Sequence, residues 1–165
     1  MRNTEKRKKI SIGVEDFKTL IDWNGYFVDK TLMIRDLIEN HAMVTLFTRP
    51  RRFGKTLNQF MIRRFFEDEI TEKGEKVDNG YLFDGLAITR CGEEIMQHQQ
   101  RYPVIFMTLK SARQDTYALA YMELKKRISE EYKRHKYVLQ GETLTMDEKK
   151  RYEAVSAIAD DDSLY

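Results

Sequence analysis

The chain has 165 residues, 41% of them hydrophobic and 12% aromatic, which is enough apolar material for one domain with a core. Lys and Arg number 29 against 27 Asp and Glu, a net charge of +2 that argues against a general nucleic-acid-coating role. No apolar run approaches the about 18 residues a bilayer span takes, no signal-peptide core follows the basic start, and the lone Cys91 suits a reducing compartment, so the expectation is a cytoplasmic protein with no membrane partner.

Residues 1–9 are polar and basic and read as a mobile tail. Val14, Phe17, Leu20 and Ile21 recur at helical spacing and predict a short helix over 14–23. Asn24 and Gly25 signal a turn, followed by a short extended stretch, 26–28, that ends at Asp29. From 30 to 40, Ile34, Leu37 and Ile38 share one face, with Asp29 or Thr31 placed to cap the first turn. The apolar run 43–47, broken only by Thr45, is the pattern of a strand buried on both faces, and such strands belong to parallel sheets in α/β proteins.

After a basic loop, Leu57, Phe60, Met61, Phe65 and Phe66 repeat at helical spacing, a stripe better explained as core than as a binding platform. The charged, glycine-punctuated stretch 74–80 is a loop, and 81–86 reads as a turn tucking two or three large apolar side chains under the sheet. The run 103–109, opened by Pro103 where a missing N–H is tolerated, predicts a second buried strand. Tyr117, Tyr121, Leu124, Ile128 and Tyr132 mark the longest helix, between about 115 and 136. Thr145 to Glu148 forms a capping box that opens a last helix through Tyr152, Val155 and Ile158, closed by Asp160, Asp161, Asp162 and Ser163. Two strands make an incomplete sheet, whose exposed edge invites self-association with another copy.

The stretch that carries chemistry is Thr48-Arg49-Pro50-Arg51-Arg52-Phe53-Gly54-Lys55-Thr56-Leu57. A predicted strand precedes it and a helix follows, the order in which backbone N–H groups, a cation and a helix dipole converge on a polyphosphate. In that reading Gly54 lets the backbone approach the phosphate, Lys55 reaches the outer phosphates as the catalytic cation, and the Thr56 hydroxyl is the Mg²⁺ ligand. The match to the P-loop pattern G-x-x-x-x-G-K-S/T is incomplete, because Arg49 stands where the first Gly belongs and Pro50 biases it toward extended geometry. Arg49, Arg51, Arg52 and Lys55 crowd together at a cost in self-repulsion that an anion among them relieves.

Two other readings of the loop stay open, a solvated basic turn and a non-catalytic module that binds nucleic-acid phosphates or a protein partner. The predicted strand before and helix after weigh against the first, and Thr56 against the second, since Mg²⁺ needs a hydroxyl after Gly-Lys and an arginine patch does not. His41, His98 and His135 stand apart from one another and from Cys91, so no metal-ligand spacing arises. Cys91 is best read as an inert thiol.

Residues 26–31 (Tyr-Phe-Val-Asp-Lys-Thr), the loop 47–57, 82–86 (Leu-Phe-Asp-Gly-Leu) and 102–106 (Tyr-Pro-Val-Ile-Phe) together resemble the N-terminal part of the AAA-ATPase-like family, over 10–165. The resemblance implies a P-loop NTPase-like parallel sheet flanked by helices, ATP as the nucleoside triphosphate bound, and Mg²⁺ with it. In that family the loop commonly lacks its first Gly, as here. Cofactor contacts are thus expected from Arg49, Arg51, Arg52, Phe53, Gly54, Lys55, Thr56 and Leu57, with Asp29 and Lys30 near the base. Family members continue to a strand ending in paired carboxylates that holds Mg²⁺ and positions water, and many carry a further C-terminal domain related to PD-(D/E)XK nucleases, which would bring nucleic acid as a partner. The carboxylate strand has no counterpart in this chain, which reads as stopping short of it, so the expectation is nucleotide binding with hydrolysis in doubt.

Overall fold

Apolar spacing of 3.6 residues dominates this chain, and helices are what it builds. A computed structural model describes residues 8–71 and 73–158. The helices are α1 (Phe17–Asp22), α2 (Leu32–Glu39), α3 (Lys55–Phe66), α4 (Glu93–Met96), α5 (Tyr117–Arg134) and α6 (Met146–Ala157), with 3-10 turns at Gly80–Phe83, Ala87–Arg90 and Lys136–Gln140. The expected tail over 1–7 and the acidic closure at 160–163 lie outside the described residues.

The parallel sheet is a correction. Among the described residues no β-strand forms; pairing is confined to isolated bridges, Lys9 with Gly25 and Glu67 with Tyr102 in parallel sense and Ile70 with Lys76 antiparallel. The runs 43–47 and 103–109 carry no regular structure. Val44 is 86% exposed, Leu46 83% and Ile105 74%. An apolar run records a demand for burial, but a strand also needs a neighbour for every second N–H and C=O, and that neighbour is a non-local fact. Self-association through a sheet edge accordingly has no sheet to rest on among these residues.

The described chain forms two compact units, the first made of 8–68 with Asp78–Val104, the second of 69–77 with 105–158. In the first unit Asp16 caps α1, its carboxylate accepting from the Thr19 N–H at 2.9 Å and the Thr19 hydroxyl at 2.7 Å. The turn after α1 needs Gly25, because a Cβ there would meet the Leu20 side chain at 2.4 Å and its carbonyl at 2.9 Å. Phe17, Ile34, Met61, Phe65, Leu82, Phe83, Ile88 and Ile95 are buried together. The stripe on α3 is core as expected, with Met61 and Phe65 inside and Leu57, Phe60 and Phe66 packed against it. The turn at Gly80–Phe83 delivers Leu82 and Phe83 into that core. Phe83 sits 5.3 Å from both Phe17 and Phe65 between ring centroids. At the far end of α3 the otherwise orphaned carbonyls are met by the chain itself: the Gln100 N–H donates to the Phe65 carbonyl at 2.7 Å and the Tyr102 N–H to that of Phe66 at 2.9 Å.

The second unit is built on α5 and α6. Thr116 caps α5, its hydroxyl accepting from the Leu119 N–H, and the capping box at Thr145 and Glu148 forms as expected. Ser129 lies against Ser156, donating its hydroxyl proton to that residue's carbonyl at 2.9 Å, and Tyr132 lies against Tyr152. Rising numbers on α5 thus meet falling numbers on α6, so the pair is antiparallel, and two small buried serines let the backbones approach closely.

Tyr152 donates its hydroxyl proton to the Tyr132 carbonyl at 2.7 Å. Burial first, then the neighbouring Tyr132, Tyr137 and Glu131, pushes its pKa up to about 12. The folded state therefore holds this proton more tightly than the unfolded one. The stability it contributes is fully present below the ordinary tyrosine pKa of about 10 and is lost as pH rises from there toward 12. Tyr152→Phe should cost about 0.5–1.5 kcal/mol at neutral pH. In denaturant unfolding the gap to the unaltered chain should narrow between pH 10 and 12; a constant gap would remove this account.

Candidate functional site

The first turn of α3 and the loop before it make a backbone with donors to spare. Gly54 is the N-cap of α3 at φ +72°, in the left-handed region, and the space where a Cβ would stand is open. Arg52 also lies there, at φ +69°, whereas Arg49 does not. The left-handed turns of this loop thus fall at 52 and 54, and position 49, where the P-loop pattern has its first glycine, asks for no such conformation. A left-handed Arg costs on the order of 1–2 kcal/mol, held by the loop around it. The first helical bond of α3 is Asn58 N–H to the Gly54 carbonyl at 2.9 Å. Among the described residues, the N–H groups of 51–57 donate to no protein acceptor. They stand at the positive end of a twelve-residue helix whose first turn carries no acidic side chain.

Lys55 reaches back over this loop. Its ammonium donates to the carbonyls of Arg49 and Pro50, the latter at 3.0 Å. Both partners are neutral, so the charge is held across the loop without being cancelled, and the third ammonium proton is left over. Thr56 is half-buried in the first turn, and no protein group bonds its hydroxyl among the described residues.

A cavity of about 380 Å³ opens beside the loop. Three cations line it, Lys30, Arg49 and Lys55, together with the apolar groups of Met33, Phe47, Phe53 and Ile62 and the carboxamides of Asn58 and Gln59. No carboxylate is in that lining. Of the residues expected at the site, Lys30, Arg49, Phe53 and Lys55 are thereby gathered at one cavity. Gly54 and Thr56 belong to the turn beside it, Leu57 packs on the core, and Arg51 and Arg52 are exposed outside the lining.

Asp29 is placed elsewhere. One of its oxygens accepts from the Thr31 N–H at 2.9 Å and the Thr31 hydroxyl at 2.6 Å; the other accepts from the Ala87 N–H at 2.7 Å. The Thr31 oxygen in turn accepts from the Ile88 N–H at 3.1 Å. Thr31 is the N-cap of α2 but makes no side-chain cap bond. The expected cap is instead a clamp tying the start of α2 to the turn Ala87–Arg90. Burial works against ionisation of Asp29, yet the bonds from Thr31 and Ala87 and the charge of Arg90 outweigh it and hold the carboxyl below its usual range.

Met33, Phe47, Asn58, Gln59 and Ile62 were not foreseen as lining. The available signal was the pair of carboxamides directly after Leu57, polar residues just off the apolar stripe and one turn beyond Lys55.

A loop of undonated amides and cations at the head of a helix has the make-up that suits an anion. A family model described as Predicted AAA-ATPase, AAA-ATPase-like, matches residues 11–161, and the chain belongs to that family. No curated protein and no solved structure matches the chain. No helix among the described residues is long and apolar enough to cross a membrane.

Proposed function

We propose that the chain binds a nucleoside triphosphate, ATP with Mg²⁺, through the loop 49–57. The observation that carries this reading is the run of undonated N–H groups over 51–57 at the head of α3, with Lys55 tied only to loop carbonyls. A phosphate oxygen displaces a carbonyl from Lys55 readily, because the bond then joins two charges. The donor set also suits the metal: the unengaged Thr56 hydroxyl offers one hard oxygen, and Mg²⁺ takes the rest of its shell from phosphate and water. When bound, Mg²⁺ would neutralise charge on the phosphates.

The role of this chain's own residues is binding and orientation. The amides of 51–57 receive phosphate oxygens, and Lys55 fixes the outer phosphates. The cavity lining offers no carboxylate to position a water, so hydrolysis is not part of the proposal. Calorimetric titration with Mg-ATP should give saturable binding. Lys55→Ala should weaken it by about 1.5–3 kcal/mol, roughly 10- to 150-fold. Equal binding by both chains, or none by either, would count against the proposal.

Arg51 and Arg52, exposed and outside the cavity, support a second reading in which the loop binds nucleic-acid phosphates. That reading requires an affinity for single-stranded nucleic acid that falls steeply with salt.

A further inference from the structure

Lys30 is reached from a different part of the chain than the loop, yet it lines the same cavity as Arg49 and Lys55. It is exposed, and among the described residues no ion pair or hydrogen bond engages its ammonium. The adjacent Asp29 would be its natural partner, but both oxygens of that carboxylate are committed to Thr31 and Ala87. The clamp turns that carboxylate toward Thr31 and Ala87, and by tying residues 29–31 to Ala87 and to the buried Ile88 it fixes where Lys30 emerges.

Resting on the proposed function, we infer that Lys30 is a second phosphate-binding cation at the cavity that Lys55 also lines, engaging the terminal phosphate of a triphosphate, and that it makes the site select triphosphates over diphosphates. Lys30, Arg49 and Lys55 bring three positive charges to one cavity without a carboxylate, and of the three Lys30 alone lies outside the loop 49–57, which places it to meet a phosphate that the loop does not already hold. A residue merely near the base would gain nothing from being left uncancelled beside two other cations.

The test is a comparison of ATP and ADP, each with Mg²⁺, by calorimetry on the unaltered chain, Lys30→Met, Lys30→Arg and Lys55→Ala. Lys30→Met keeps the stem of an exposed side chain, and its melting temperature should be unchanged. It should weaken ATP about 10-fold while moving ADP less than about 2-fold, the size expected for one charged hydrogen bond. Lys30→Arg should restore most of the ATP affinity, and Lys55→Ala should weaken both nucleotides. Equal loss for ATP and ADP in Lys30→Met, or no loss for either, overturns the inference and leaves the loop reading intact. If the unaltered chain binds neither nucleotide, the proposed function fails and this inference fails with it.

Discussion

Phe83→Ala is expected to destabilise the chain by about 3–5 kcal/mol, the cost of deleting a fully enclosed aromatic side chain. The ring is wholly buried and links the two sides of the core, with Phe17 on one hand and Phe65 on the other at 5.3 Å between centroids. Phe17 continues the chain of rings to Phe27 at 5.2 Å, and Phe65 to Phe66 at 5.2 Å. The void would open where α1, α3 and the turn Gly80–Phe83 meet, and none of the three can close it without breaking its own contacts. Phe83→Leu should recover more than half of the loss, because most of the volume is restored. Urea unfolding monitored by circular dichroism measures both; a loss below about 1 kcal/mol for Phe83→Ala would mean that the aromatic cluster does not hold this unit together.

Glu67→Ala is the second large effect, again about 3–5 kcal/mol. Glu67 is fully buried at the C-cap of α3, and its carboxylate accepts from the Arg63 guanidinium at 2.7 Å, one turn back on the helix. Removing the carboxylate takes a charged partner from a guanidinium that is itself only 12% exposed. The cost comes from a buried charge losing its carboxylate, not from the net value of the pair, so the double replacement Arg63→Met with Glu67→Leu should be much less damaging than Glu67→Ala alone. A double variant as unstable as the sum of its single changes would show that the two groups are not coupled in this way.

The helices were legible because their signals are local. Thr145 and Glu148 sit three residues apart and cap one another; the α3 stripe needs only its own spacing to declare a buried face. The strands were not, for the converse reason. Residues 43–47 and 103–109 announce that they are apolar, and nothing in either run says whether a pairing neighbour exists. The candidate site divides along the same line. Gly54, Lys55 and Thr56 are contiguous and were legible from the motif. Lys30 came only through the family resemblance, since its place at the cavity depends on a clamp between Asp29, Thr31, Ala87 and Ile88, residues far apart in the chain. Asp29 was expected near the base through the same resemblance; in the structure its oxygens accept from Thr31 and Ala87, and it is not part of the cavity lining.

The claim on which the account turns is that the amides at the head of α3 are donors waiting for phosphate. Amide chemical shifts of the ¹⁵N-labelled chain, followed through a titration with Mg-ATP, test it directly. The account predicts saturable shifts over 51–57, largest at Gly54, Lys55 and Thr56. Unmoved resonances at those positions under saturating nucleotide, or shifts centred elsewhere on the chain, would contradict it.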